Sequence, residues 1–133
     1  MSKLLTSTAV LLALAAPAAH AWERPVMPIV VGLDGPDYDA CASSGTVERL
    51  DPRGDGFLAV RSGPSSSYAT IDKLYNGQDV IICDSRGDWY GVVYSTRRSV
   101  ECNVNGPWHR PMPYTGPCRS GWVYKKWLGN LAG

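Results

Sequence analysis

The chain has 133 residues, of which 44% are hydrophobic and 19% charged, with five Trp, seven Tyr and one Phe. That is one domain's worth of chain with too much apolar area to leave in water, which excludes disorder as a whole and also the large cofactor folds, such as a two-domain dehydrogenase or a (β/α)₈ barrel. A formal net charge of +1 excludes a nucleic-acid binder that works by bulk charge.

The first segment reads as an address. Lys3 supplies a positive start, and 4–19 is an uncharged, mostly apolar run ending in Pro17 and the small-x-small triplet Ala19-His20-Ala21. This is the pattern of a secretory signal peptide over 1–21, with cleavage expected after Ala21. The run falls short of the roughly 20 residues that cross a bilayer, so no stable membrane insertion is expected after cleavage. The expected location is periplasmic or secreted. The remaining chain, from Trp22, is neutral overall but uneven. Residues 22–88 hold 11 acids and 6 bases, and residues 89–133 hold 6 bases and one acid. Pairing of the two halves within one fold is the expected use of that split.

Residues 22–43 read as an extended arm, rich in Pro and Gly, with one apolar stretch from Met27 to Val31. Its Asp34, Asp37 and Asp39 lack the Glu and central Gly of an EF-hand loop, so a solvated acidic arm is expected and not a calcium site. A short strand follows over 46–50, then the turn 51–56. In the next strand, 57–61, Leu58 and Val60 share the more apolar face. Residues 62–67 form an irregular loop, with Ile71 and Leu74 beyond it and the turn Asn76-Gly77 after them. The clearest hairpin pairs 79–83 with 89–95 around a turn at 85–88. Gly91 in the return strand points to a bulge or a close backbone approach. An insert over 96–119 carries Pro107, Pro111, Pro113 and Pro117. Strand 121–124 follows, then a helical turn at 125–128 and a short final segment. No window of 12 residues keeps a helical apolar period, so the body is all-β, with about five short strands closing into a small barrel over 44–133.

Four cysteines remain: Cys41, Cys83, Cys102 and Cys118. An even number in a small exported protein reads as two disulfides, and four Cys allow three pairings. Cys41–Cys83 with Cys102–Cys118 is preferred, because the second bond staples the Pro-rich insert. Zinc is not expected, since no two Cys are two to four residues apart and His109 is the one His after Ala21. No metal and no cofactor are implied.

Leu58-Ala59-Val60-Arg61-Ser62-Gly63-Pro64-Ser65-Ser66-Ser67-Tyr68 resembles the L-x-V-R-S-G-P-S-x-x-Y signature of bacterial SH3-like domains. Gly87-Asp88-Trp89-Tyr90-Gly91-Val92 is similar to the family's G-x-W-Y-x-V. Gly121-Trp122-Val123, with Trp127-Leu128, is similar to its closing G-W-V-x-x-x-(Y/W)-L. The set spans about 44–131 in the family's order. Two departures stand out: the insert replaces a short turn, and the arm is extra. Both carry Cys, so the chain resembles an exported, disulfide-braced branch of the family. The resemblance implies an SH3-like barrel that binds peptidoglycan or another cell-envelope component.

The enzyme reading has little under it. His109 sits in the insert, no G-x-S-x-G or H-E-x-x-H occurs, and Asp84 and Asp88 read as turn residues flanking the hairpin. The expectation is a non-enzymatic binding module. Arg61, Tyr68, Tyr75, Asp88 and Trp89 are the candidate ligand contacts, placed near the first loop and the hairpin turn where such barrels form a groove. Tyr68 and Tyr75 also suit edge packing, and Trp89 and Trp122 suit the barrel interior. A second candidate surface is the insert, where Arg97, Arg98, Trp108, Arg110 and Tyr114 suit an envelope protein as partner, in the manner of a subunit or an inhibitor. A monomer is expected in either case.

Overall fold

The computed structural model describes residues 3–5, 8–15, 24–97 and 100–133. The expected cleavage triplet, Trp22 and the candidate Arg98 lie outside the described residues. Among the described residues no helix is long and apolar enough to cross a membrane.

The body is all-β and antiparallel. The strands are β1 (Val30–Val31), β2 (Ser43–Val47), β3 (Leu58–Arg61), β4 (Thr70–Leu74), β5 (Asp79–Arg86), β6 (Trp89–Tyr94), β7 (Met112–Pro113), β8 (Arg119–Tyr124) and β9 (Leu128–Ala132), with one 3₁₀ turn at Lys125–Trp127. Seven of them form one sheet in the order β4-β3-β8-β6-β5-β2-β9, while β1 pairs with β7 alone. Sequence reading expected about five strands. Of the seven in the main sheet it missed β4 and β9, and outside that sheet the short pair β1 and β7; β4 and β9 hold few apolar residues, and only their neighbours reveal them as strands.

The sheet curls so that its two ends share one core. Leu58, Val60 and Leu74 from the β3–β4 end pack with Val47 and Leu128 from the β2–β9 end, around Val80, Ile82, Val92, Tyr94 and Val123. This is the SH3-like arrangement. The alternation of Leu58 and Val60 inward matches the pattern read from the sequence.

A second core lies outside this one. The residues of alternate parity on β5, β6 and β8 (Ile81, Cys83, Val93 and Trp122) face away from the first core. They are roofed by Ile29, Val31, Ala40 and Cys41 of the arm and by Cys102, Val104 and Tyr114 of the insert. Trp122 is fully buried there, and its Nε1 donates to the carbonyl oxygen of Met27 at 2.8 Å. Its expected place in the barrel interior is therefore corrected. Val123, one residue on, faces the interior, and Trp122 anchors the added segments. Burying a Trp removes roughly 150–250 Å² from water, on the order of 4–6 kcal/mol.

Arm and insert are sewn together as well as to the barrel. Val30 and Val31 pair with Pro113 and Met112. The Ala40 and Cys41 amides donate to the carbonyls of Gly106 and Val104. The disulfides join Cys41 to Cys83, with a Cα separation of 4.5 Å, and Cys102 to Cys118, at 5.3 Å. This is the preferred one of the three pairings.

The β5–β6 hairpin is longer than expected. Arg86 pairs with Trp89, so the turn is Gly87-Asp88 alone, and Cys83 lies within β5 instead of ending it. Asp84 is not a turn residue either. A bulge between Ile82 and Asp84 swings its buried side chain under the arm, where Oδ2 accepts from the Val30 amide at 3.3 Å. Gly91 sits opposite this bulge because a Cβ there would stand 2.8 Å from the Asp84 Cβ and 3.2 Å from Ile29.

Candidate functional site

The first loop leaves β3 at Arg61 and returns at Thr70. It is closed by the Ser62 amide donating to the Ala69 carbonyl at 2.9 Å, and Arg61 Nη1 donates across it to the Tyr68 carbonyl at 3.0 Å. The half-buried Tyr68 ring lies on the backbone of Gly63, where any Cβ would collide with it. The Arg24 guanidinium stands 5.3 Å from the ring centroid. The Met27 amide donates to the Ser62 carbonyl at 2.8 Å, so the arm passes directly beside this loop.

The hairpin tip forms a second aromatic surface. Trp89 and Tyr124 are cross-strand partners whose rings meet at 5.6 Å and 60°, a tilted geometry favoured by their quadrupoles. Exposed Asp88 accepts from the Lys125 amide at 2.9 Å through its carbonyl, fixing the tip to the 3₁₀ turn. The Lys125 ammonium lies 4.5 Å from the Tyr90 ring.

Of the five expected ligand contacts, the structure thus joins Arg61 to Tyr68 and sets Asp88 next to Trp89. Tyr75 is elsewhere. It follows β4 at the end remote from the first loop, about 15 Å along the strand, 54% exposed. It lines a shallow cavity of about 410 Å³ with Thr70, Ile71, Asp72 and Lys73.

The insert presents a third surface. Trp108 stacks on Tyr114 at 6.4 Å, and its Nε1 donates to the Asn103 carbonyl at 2.8 Å. The Tyr114 hydroxyl donates to the Cys102 carbonyl at 2.8 Å and accepts from the Cys118 amide at 3.1 Å. Burial pushes its pKa up, against the opposing Cys118 amide. Tyr114 therefore braces the insert. Trp108, His109 and Arg110 remain on its surface and line a cavity of about 510 Å³ with Pro107 and Met112. Arg97 is exposed at the start of the insert, its amide bonded to Ser95 Oγ at 3.1 Å.

One cluster ties the acidic half to the basic half. The Tyr94 hydroxyl donates to Asp72 Oδ2 at 2.7 Å, and Arg119 Nη1 reaches the same oxygen at 3.0 Å. Burial pushes the Asp72 carboxyl up, but Tyr94, the Lys73 amide and Arg119 together outweigh it and hold the pKa below its ordinary value. Burial and the Asp72 carboxylate both raise Tyr94. The group links β4, β6 and β8 where the insert departs and returns.

Residues 56–101 match the family model of the bacterial SH3 domain. The chain carries a bacterial SH3 domain. The match runs from just before β3, through the first loop and the hairpin, into the insert, and it leaves out the arm and the closing strands β8 and β9. No curated protein and no solved structure gives a significant match to the chain. In this SH3 domain the first loop and hairpin tip lie within the matched stretch, whereas Trp108, Arg110 and Tyr114 lie outside it.

Sequence reasoning missed Tyr124, Arg24 and Lys125 as members of these surfaces. Tyr124 was open to discovery, since it alternates with Trp122 on a strand whose partner begins at Trp89. Arg24 and Lys125 were not, because only the folded path of the arm and of the 3₁₀ turn brings them onto aromatic rings.

Proposed function

We propose that this SH3 domain is a non-enzymatic binding module of the cell envelope and that peptidoglycan is its ligand. The observation that carries the reading is the half-exposed Trp89–Tyr124 pair beside exposed Asp88 within an SH3-type hairpin. Aromatic faces suit the apolar faces of sugars and extended peptides, and the carboxylate suits their amide or ammonium groups. Arg61 and Tyr68 at the first loop form a second contact, and Tyr75 a third. Two disulfides fit an oxidising compartment, in keeping with a protein released by cleavage after Ala21 into the periplasm or beyond.

Co-sedimentation with purified sacculi tests the reading. The protein is expected in the pellet, and Trp89→Ala and Tyr68→Ala are expected to move it to the supernatant. Retention of both variants, or failure of the unaltered protein to pellet, overturns it. The Trp108–Arg110 cavity favours a second reading, an envelope protein as partner held by the insert. Under that reading Trp108→Ala and Arg110→Ala abolish binding to the partner and leave sacculus binding unchanged.

A further inference from the structure

The insert is fixed at several points. Cys102–Cys118 closes it, β7 pairs with β1 of the arm, and the Tyr114 hydroxyl is bonded at two backbone positions. These braces converge on Trp108. Its ring rests on Tyr114, and its Nε1 is already spent on the Asn103 carbonyl. The arm backbone runs so close that a Cβ on Gly32, which sits at φ 81°, would meet the Arg110 carbonyl oxygen at 3.3 Å and the Trp108 Cβ at 3.5 Å. The product is the cavity of about 510 Å³ lined by Pro107, Trp108, His109, Arg110 and Met112, within the size range of ligand sites. Its walls are set in advance, so a ligand meets little ordering cost on the protein side.

The charge of this cavity has one sign. Arg110 is exposed, His109 is neutral or positive and never negative, and no carboxylate lines the walls. The ion pairs among the described residues are Glu48–Arg49 and Asp72–Arg119, so Arg110 stands in neither. The arm acids Asp34, Asp37 and Asp39 are exposed and lie outside the lining. We propose that the cavity receives an extended peptide segment of a partner protein, in which a carboxylate stands next to an aromatic or aliphatic side chain. The inference rests on the second reading above and names what that partner presents. The guanidinium of Arg110 supplies a planar fork that takes a carboxylate in two parallel bonds. Trp108 and Met112 supply the apolar wall. Because the indole N–H is satisfied within the insert, Trp108 offers a ligand only apolar surface, which selects a hydrophobic neighbour over a sugar hydroxyl. Trp and Arg are also the side chains that most often carry the energy of protein interfaces. The cavity lies outside the stretch that matches the family, so it is separate from the first loop and the hairpin tip.

Titration of the purified protein, followed by the Trp108 indole N–H resonance in proton–nitrogen correlation spectra, tests it. The probes are the capped peptides acetyl-Gly-Phe-Glu-Gly-amide, its Gln counterpart and acetyl-Gly-Ala-Glu-Gly-amide. The Phe-Glu peptide is expected to move the resonance to saturation. The other two are each expected to bind about fivefold more weakly, one for want of the exposed ion pair and one for want of apolar area. Arg110→Gln, at a surface position, should erase the preference for Glu over Gln and keep the preference for Phe over Ala, a pattern that an unfolded insert would not give. The proposal is overturned by equal binding of the Glu and Gln peptides, by a preference that survives Arg110→Gln, by no shift with any peptide, or by a shift with phosphatidylglycerol vesicles or inorganic phosphate and none with peptides. Cross-linking to envelope proteins separates the two levels. A partner captured equally by the unaltered protein and by Trp108→Ala refutes the second reading, whereas capture lost in Trp108→Ala with indifferent peptides refutes this inference alone.

Discussion

The indole of Trp122 donates to the carbonyl oxygen of Met27, 95 residues earlier in the chain. This one bond shows how the protein is built. The arm and insert cover the outer face of β5, β6 and β8 with a second core, separate from the one that the curled sheet encloses.

Trp122→Ala should therefore empty the centre of that second core and cost roughly 3–5 kcal/mol, in the range for buried aromatic truncations. Trp122→Phe keeps most of the packing and loses the bond to Met27, leaving its carbonyl unpaired, for about 1–3 kcal/mol. Denaturant melts of both variants give the two values. Limited proteolysis should cut the arm first in Trp122→Ala, because the barrel's own core does not contain the residue.

The disulfides are expected to act unequally. The chain-entropy model assigns about 4 kcal/mol to closing the Cys41–Cys83 loop and about 3 kcal/mol to Cys102–Cys118, whose sequence separations are 42 and 16. Cys41→Ser/Cys83→Ser should lower the melting temperature more than Cys102→Ser/Cys118→Ser. Non-reducing peptide mapping should return these two cross-linked peptides, and a Cys83–Cys102 or Cys83–Cys118 peptide would contradict the structure.

Asp72 makes a signed prediction about pH. Its folded pKa lies below its ordinary value, so the carboxylate contributes stability that is present above the ordinary carboxylate range and lost as pH falls through the folded value. The stability gap between the unaltered protein and Asp72→Asn should be constant near neutrality and shrink in acid. Tyr94 has the opposite sense: its raised pKa gives a contribution present below its ordinary value and lost as pH rises through the folded one. Urea melts from acid to strongly alkaline pH read both limbs, and Tyr94→Phe should flatten the alkaline one.

Gly63 and Tyr68 should be coupled. Gly63→Ala drives a methyl into the Tyr68 ring and should destabilise by about 1–3 kcal/mol, the usual range for overpacking. Tyr68→Ala alone should cost at most about 1 kcal/mol, as expected for a half-exposed loop residue. In the double variant the Gly63→Ala penalty should largely vanish, and a thermodynamic cycle measures the difference.

Export carries its own check. N-terminal sequencing of the fractionated protein should begin at Trp22, and an intact Met1 in the soluble extracytoplasmic pool would refute cleavage.

Much of this molecule follows from local rules that its residues state openly. Leu58 and Val60 alternate with the pleat, Asn76-Gly77 turns, and four spaced Cys form two bridges. Those signals depend on neighbours in sequence, so the all-β class, the hairpin, the SH3 resemblance and the preferred disulfides were legible without coordinates. The side of the sheet that Trp122 faces was not, because a strand pattern shows that two faces differ but not that the outer one will be roofed. Tyr75 was misjudged as a neighbour of Tyr68 for a related reason. Seven residues apart in sequence, they are separated by an extended strand, and only the path of β4 shows which way it runs. Nor does the composition of β9 reveal that it ends a sheet. An open edge is a property of what lies beside a strand, and that is decided by the register and order of all seven strands together.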